Sequence, residues 1–460
     1  TGAGSDTNLG IVIYAPKKSL QSLLDILDVE GDDTIVFDTG IYAVSTNANW
    51  TLEAADQGKP SLPVIIRGST NSPYSIITRD GAGTGPLLSL NGKYVLLTDL
   101  IFQSGGLVAK DNATFTSLIF TNSGTVAING VEALVSNSKF YHSSLSLDSA
   151  NSQINNLEIQ NGGVSVIGTN VYLRNSLIYG TNTAPAVTVN GVNIVVENNT
   201  LATLGSAFLQ NGFGGSTLRN NILVADGANR FCIDATSGTL ISDHNNLVVR
   251  NGAWLGGYRN GNWEHLVYWQ REAGQDLNSI AADPQFFNQA TGDYRLKSRI
   301  GRWNGSGFDT DATHSPSIDA GSPNSTFSGE PTPNGLLINQ GYDGNTAEAS
   351  MSLTNIWLMA LTMNDGGVFK GTNYLAWRAG NATTSDLVRL DLSIDGGVSW
   401  TTIVSGVSAG QTNYLWDSTS LPSSLDAYWR VVLISDTNIN DATDDSFALR
   451  NSALKFYVND

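Results

Sequence analysis

The feature that most constrains this chain is a polar corner that returns about every twentieth residue. Eight segments carry it: LTDLIF at 97–102, FTSLIF at 115–120, VSNSKF at 135–140, INNLEI at 154–159, LRNSLI at 173–178, VENNTL at 196–201, LRNNIL at 218–223 and ISDHNN at 241–246. Their third positions are Asp99, Ser117, Asn137, Asn156, Asn175, Asn198, Asn220 and Asp243, with gaps of 18, 20, 19, 19, 23, 22 and 23 residues. The first position is always apolar, and the sixth is apolar as far as Leu223. A second short alternating strand precedes each segment, as in VAIN at 126–129 and VTVNG at 187–191. Asparagine is depleted within strands and competes for backbone hydrogen bonds, so its recurrence marks corners between strands. No such unit can bury its own apolar face, whereas stacked units bury a continuous one.

The pattern resembles the right-handed parallel β-helix of pectate lyases and related proteins. The resemblance implies that like residues stack about 4.8 Å apart from coil to coil. Amides at a corner then form a ladder that satisfies the bent backbone. The first Asn of each pair is expected to point inward, and the second, as in Asn199 and Asn221, to sit in the turn. The expected fold is all-β, a β-helix over 1–350 followed by a β-sandwich over 351–460. A cap helix is expected at about 16–30, with Ser19 as N-cap and Leu20, Leu23, Leu24 and Leu27 on one face. Coils are expected over about 33–250, then a short helix within 263–280 and a closing segment over 251–350. DPQFFNQATGDYRLKS (283–298) and SPSIDAGSP (315–323) resemble closing segments of bacterial β-helix proteins. Beyond 350 the strict alternation of LVRLDLSIDGGVSWTTI around a DGG turn reads as a sandwich similar to fibronectin-type or immunoglobulin-like modules.

Composition narrows the function. A formal net charge of -17 argues against nucleic acid and anionic membranes as partners, and weakens the case for a polyanionic substrate. The single cysteine, Cys232, excludes an internal disulfide and a cysteine-based zinc site. No apolar run reaches the length of a membrane span. The chain begins at Thr1 without a charged and apolar leader, which is expected of a processed product or an excised piece.

The second ladder column faces solvent and is the place to look for chemistry. In it Arg174, Glu197 and Arg219 should stack on adjacent coils, as should Lys139 and Glu158 in the fifth column. Resemblance to β-helix polysaccharide lyases implies that Lys139, Arg174 or Arg219 acts as base with Glu197 as carboxylate partner. The structural alternative is an alternating charge ladder. No pair of carboxylates recurs on neighbouring coils at matching columns, as glycoside hydrolysis would need. Trp254, Tyr258, Trp263 and Trp269 form an aromatic cluster suited either to sugar rings or to plugging the end of the solenoid. DTDAT (309–313) and DTNINDATDD (436–445) alternate oxygen ligands, so Asp309, Asp311, Asp436 and Asp441 are calcium candidates.

The chain ends in LKFYVND. This strand, together with PKKSL (16–20) and GDDTI (31–35), resembles pieces of modules in large repetitive bacterial surface proteins, arranged out of phase. That resemblance implies one period of a tandem array, with Phe456, Tyr457 and Val458 pairing with a neighbouring copy. The expected role is a non-enzymatic structural or adhesive module of an extracellular surface protein or filament, with weak glycan contact. The alternatives are a β-helix carbohydrate-active enzyme acting on a polysaccharide and a phage-type receptor-binding fibre.

Overall fold

The computed structural model describes residues 4–83, 85–259 and 261–451. By internal contacts the chain forms two compact units, Thr1–Leu218 with Val224–Ile241, and Arg219–Leu223 with Ser242–Asp460. The closing segment and the sandwich therefore share one unit.

The first unit is a parallel β-helix. Thr114–Thr116 pairs in parallel with Leu134–Ser136, that strand with Gln153–Asn155, and so on through Thr169–Arg174 to Val192–Glu197. The register sets Phe115 beside Val135, Val135 beside Ile154, Ile154 beside Leu173 and Leu173 beside Val196, the first column read from the sequence. The sixth column runs Phe102, Phe120, Phe140, Ile159, Ile178 and Leu201 in the same way. All six are fully buried, and the three phenylalanine rings stack with centroids 5.2 and 4.8 Å apart. Each such side chain contributes roughly 1.5–3 kcal/mol by leaving water. At another corner Gly191 and Gly214 pass so close to the preceding coil that an added Cβ would overlap the carbonyl oxygens of Gly168 and Gly191.

The corners are built with the opposite orientation to the one expected. Asp99, Ser117, Asn137, Asn156, Asn175 and Asn198 have φ of 57, 55, 49, 54, 48 and 56°, so the first residue of each pair makes the left-handed turn. Short polar side chains adopt that conformation at least cost. On the outer rim Asn156 Nδ2 donates to Asn137 Oδ1 at 2.7 Å. The second residue points inward: Ser138, Ser176 and Asn199 are buried. Ser138 Oγ accepts from Leu118 N at 3.1 Å and Ser176 Oγ from Leu157 N at 3.2 Å. Asn199 Oδ1 accepts from Ser176 N at 3.0 Å, while its Nδ2 donates to the carbonyls of Leu173 and Glu197, each at 3.0 Å. The strand bends at the αL residue, and the next side chain falls inside, where the interrupted ladder has left amides unpaired.

The cap helix spans only Leu20–Leu24, with Ser19 as its N-cap. It is shorter than the apolar spacing suggests because Val29 turns in to a buried site, where its N–H donates to Asp56 Oδ1 at 3.2 Å. Buried Leu20 and a bond from Thr51 N to Gln21 Oε1 of 2.8 Å hold the helix down. Thr34–Val36 is an end strand of its sheet.

In the second unit the inward ladder continues. Asn221 N and Nδ2 both donate to Asn245 Oδ1 at 3.0 Å, and Asn245 N donates to Ser279 Oγ at 2.8 Å. The last corner is His244, at φ 57°, with buried Asn245 after it, so the final repeat lies one residue later than its sequence alignment. A helix, Leu266–Ala273, ends at Gly274 in the left-handed region. Beyond an irregular closing segment come two sheets. One is Trp357–Ala360, Thr372–Gly380 and Asn413–Asp417; the other contains Leu387–Ser393, Thr401–Ser408, Ser424–Leu433 and Phe447–Leu449. They share one core that includes Leu375, Trp377, Leu390, Trp429, Val431 and Phe447. The DGG turn is Asp395–Gly397, where both glycines have positive φ and Asp395 Oδ1 accepts from Ser399 N at 2.9 Å.

Candidate functional site

The flank of the first unit carries the charged ladders as registered. Arg174 lies opposite Glu197, its Nε 3.2 Å from Oε2, with the guanidinium 4.5 Å from the centre of the Tyr172 ring. Lys139 lies opposite Glu158, with Nζ 2.7 Å from Oε2. The hydrogen bond that Lys139 donates to Glu158 holds its ammonium above the ordinary lysine range, against the lowering effect of partial burial. A general base at neutral pH needs the opposite shift. Arg219 is exposed at the end of Gly215–Arg219 and belongs to the second unit.

The aromatic group of the second unit surrounds Trp269. Tyr258 and Trp263 meet that ring edge-on, with centroids at 6.3 and 5.7 Å, and Trp254 is partly exposed on the adjoining strand. Trp269 itself is wholly buried, so it is removed from the glycan-contact set and acts as a plug. Its Nε1 donates to Asp276 Oδ2 at 2.8 Å. Asp276 Oδ1 accepts in addition from Ser279 Oγ at 2.6 Å, Ser242 Oγ at 2.9 Å and Asn245 Nδ2 at 3.0 Å. Burial pushes this carboxyl upward, while the four donors pull it back.

Of the calcium candidates, Asp311 forms a buried ion pair with Arg302, Nε to Oδ2 3.1 Å, and accepts from Ser298 N. Asp309 is exposed, and Asp436 accepts from Asn438 N at 3.1 Å within its own turn. Asp441 Oδ2 accepts from Ala360 N at 2.8 Å, and burial raises its pKa to about 7. Among the described residues no three His, Cys, Asp or Glu side chains converge to hold a metal ion. Phe456, Tyr457 and Val458 lie outside the described residues.

A cavity of about 690 Å³ in the second unit had no sequence motif to announce it. The closing segment contributes Asp283, Arg299 and His314, and the sandwich contributes Trp357, Asp441 and Asp444. These residues are separated by up to 161 positions (Asp283 to Asp444), and no local spacing connects them. The repeated Asp and Asn of 436–445 supply part of the lining, but as a motif they point to metal ligation and not to a cavity.

Glu330, in the closing segment, is buried with Oε1 accepting from Asn339 N at 2.9 Å and Asn345 N at 2.8 Å, while Oε2 has no partner. Desolvation raises its pKa to about 7. Asp365 is raised to about 6, chiefly by burial, whereas burial and Arg299 lower His314 to about 4. A raised acid holds a proton in the folded chain that the unfolded chain has released, so its contribution falls as pH rises from its unfolded to its folded pKa. His314 acts in the opposite sense between about 6.5 and 4. Glu330, Asp441 and Asp365 outweigh it, so the second unit should melt at a higher temperature at pH 5 than at pH 7.5. Glu330→Gln should remove part of that slope, stabilising the unit by up to about 3 kcal/mol at pH 7.5 and little at pH 5. Equal destabilisation at both pH values in calorimetry would contradict the assignment.

Residues 154–321 match a protein family described as disaggregatase related. No curated protein matches the chain. A solved structure that is similar is the A-module of a mannuronan C-5 epimerase from Azotobacter vinelandii, at 9% identity and a TM-score of 0.34, covering 54% of this chain and 91% of that one.

Proposed function

We propose that this chain is a structural or adhesive module of an extracellular surface protein or filament, and that it associates end to end with copies of itself. The observation that carries the reading is the exposed apolar character at the start of the first unit. Leu9, Ile11, Val12, Ile13 and Tyr14 are 54–85% exposed, and Val36, in an end strand, and Ile41 are 56 and 72% exposed. Large exposed apolar side chains in such number mark contact surfaces, and an end strand offers unpaired backbone groups to an incoming strand. The tail residues Phe456, Tyr457 and Val458 supply a strand-like sequence for that contact. The neutralised charge ladders on the flank also suit a scaffold better than a proton-transfer site. Calcium in the acidic loops belongs to the same proposal as a stabilising ion.

Deleting 455–460 should shift purified units from assemblies to monomers in sedimentation velocity while the melting temperature stays unchanged. Ile11→Lys with Ile13→Lys should do the same. Unaltered assembly in both variants would sink the end-to-end reading.

A second reading, a β-helix carbohydrate-active enzyme, draws support from the match over 154–321 to a family whose description speaks of disaggregation. Under it Arg174, Arg219 or Lys139 serves as base. A polysaccharide panel assayed with the intact chain and with Arg174→Ala plus Arg219→Ala separates the two readings. Cleavage lost in the variant supports the enzyme, and its absence in both supports the scaffold.

A further inference from the structure

We infer that the cavity in the second unit is a binding pocket for a neutral, hydroxyl-rich saccharide of about two sugar rings. This inference is independent of the end-to-end association. The volume of about 690 Å³ lies in the ordinary range for small-molecule sites.

Its lining offers hydrogen bonding in both senses. Four carboxyls line it, and each has one oxygen committed to the protein; Asp436 Oδ1 accepts from Asn438 N at 3.1 Å. Asp283 Oδ1 accepts from Gln285 N at 3.1 Å, Asp441 Oδ2 from Ala360 N at 2.8 Å, and Asp444 Oδ2 from Asn364 Nδ2 at 2.8 Å. The second oxygen of each has no protein hydrogen bond among the described residues. On the donor side, His314 Nδ1 accepts from Arg299 N at 3.4 Å, which leaves Nε2 as the N–H of a neutral imidazole. The Arg299 guanidinium makes one bond to the Ala312 carbonyl at 3.3 Å and no ion pair among the described residues. A sugar hydroxyl both donates and accepts, so a mixed set of this kind can satisfy several at once.

One wall is aromatic. Trp357 is partly exposed, and Gly380 allows it to lie flat against the neighbouring strand, since a Cβ there would overlap the indole. An indole face with polar groups around it suits the C–H face of a pyranose.

Charge decides against other ligands. Four facing carboxyls against one guanidinium disfavour a uronate or a phosphate. Among the described residues no three carboxyls converge to hold a metal ion, so calcium enters the test as a separate arm.

The test uses the full chain, titrated by calorimetry and by saturation-transfer NMR. The probes are maltose, cellobiose, lactose and chitobiose, with digalacturonate and calcium chloride as separate arms. At least one neutral disaccharide should bind saturably. Trp357→Ala should weaken it about tenfold, and Asp444→Asn about fivefold. Tyr374→Ala, at an exposed position of the sandwich outside the cavity lining, should leave the affinity unchanged. If Trp357→Ala fails to show a cooperative melt, Asp444→Asn decides. The inference is overturned if none of the four disaccharides binds, if binding survives Asp444→Asn and Trp357→Ala undiminished, or if only digalacturonate or calcium binds.

Discussion

Replacing Asp276 by Ala should destabilise the second unit by about 3–5 kcal/mol. The carboxyl is fully buried, and four donors from Ser242, Asn245, Trp269 and Ser279 end on it. Alanine leaves the Ser242 and Ser279 hydroxyls and the Trp269 indole N–H without this acceptor, and leaves Asn245 Nδ2 with Ser242 Oγ alone. The loss extends beyond four bonds, because Ser279 Oγ also accepts from Asn245 N and so ties the last corner to the loop that covers it. Equilibrium urea unfolding followed by tryptophan fluorescence reads the effect directly, since Trp269 is one of the four partners. Ser242→Ala, which removes one donor, should cost only about 1 kcal/mol. A loss of similar size in both variants would mean that the carboxyl is not the centre of the network.

Asn199→Ala should cost the first unit about 3 kcal/mol or more. The side chain satisfies the amide of Ser176 and the carbonyls of Leu173 and Glu197 from a site with no exposure. Alanine cannot bond to any of them, and the site has no solvent exposure. Asn156→Gly is the control. Asn156 is an exposed corner at φ 54° with one rim bond to Asn137, and glycine accepts that φ without strain. Its expected cost is below about 1 kcal/mol. Comparable losses at the two positions would contradict the division of labour between turn residue and inward residue.

That division also shows what the sequence could and could not reveal. The columns of the coil were legible because stacking demands one residue type at one place, coil after coil. Phe102, Phe120 and Phe140 announce themselves at equal spacing and meet as stacked rings. The same regularity located the Lys139–Glu158 and Arg174–Glu197 pairs. Orientation at the corner was not legible, because two adjacent polar residues give no clue to which one bends the backbone. Ser138 and Ser176 take the inward place as readily as Asn199, since either side chain can accept from the amide beneath it. The last repeat was misplaced by one residue because His244 is an uncommon turn residue and broke the amide pattern. Composition leaves the aromatic cluster open between a sugar platform and a plug; the fold decides for Trp269, which Tyr258, Trp263 and Asp276 enclose. The cavity was invisible for a related reason. Its walls come from the closing segment and from the sandwich, and no period links Asp283 or His314 to Trp357 or Asp444.

The central claim is that a corner recurring about every twentieth residue winds the first unit into interchangeable stacked coils. Removing residues 156–174, 19 in all, tests it most directly, because Asn155 and Arg174 already share a register and Asn175 would then occupy the place of Asn156. Circular dichroism and differential scanning calorimetry should show a folded, cooperatively melting protein one coil shorter, whereas removing only 156–165 should abolish the cooperative transition of this unit. Equal damage from the two deletions would contradict the stacked-coil account.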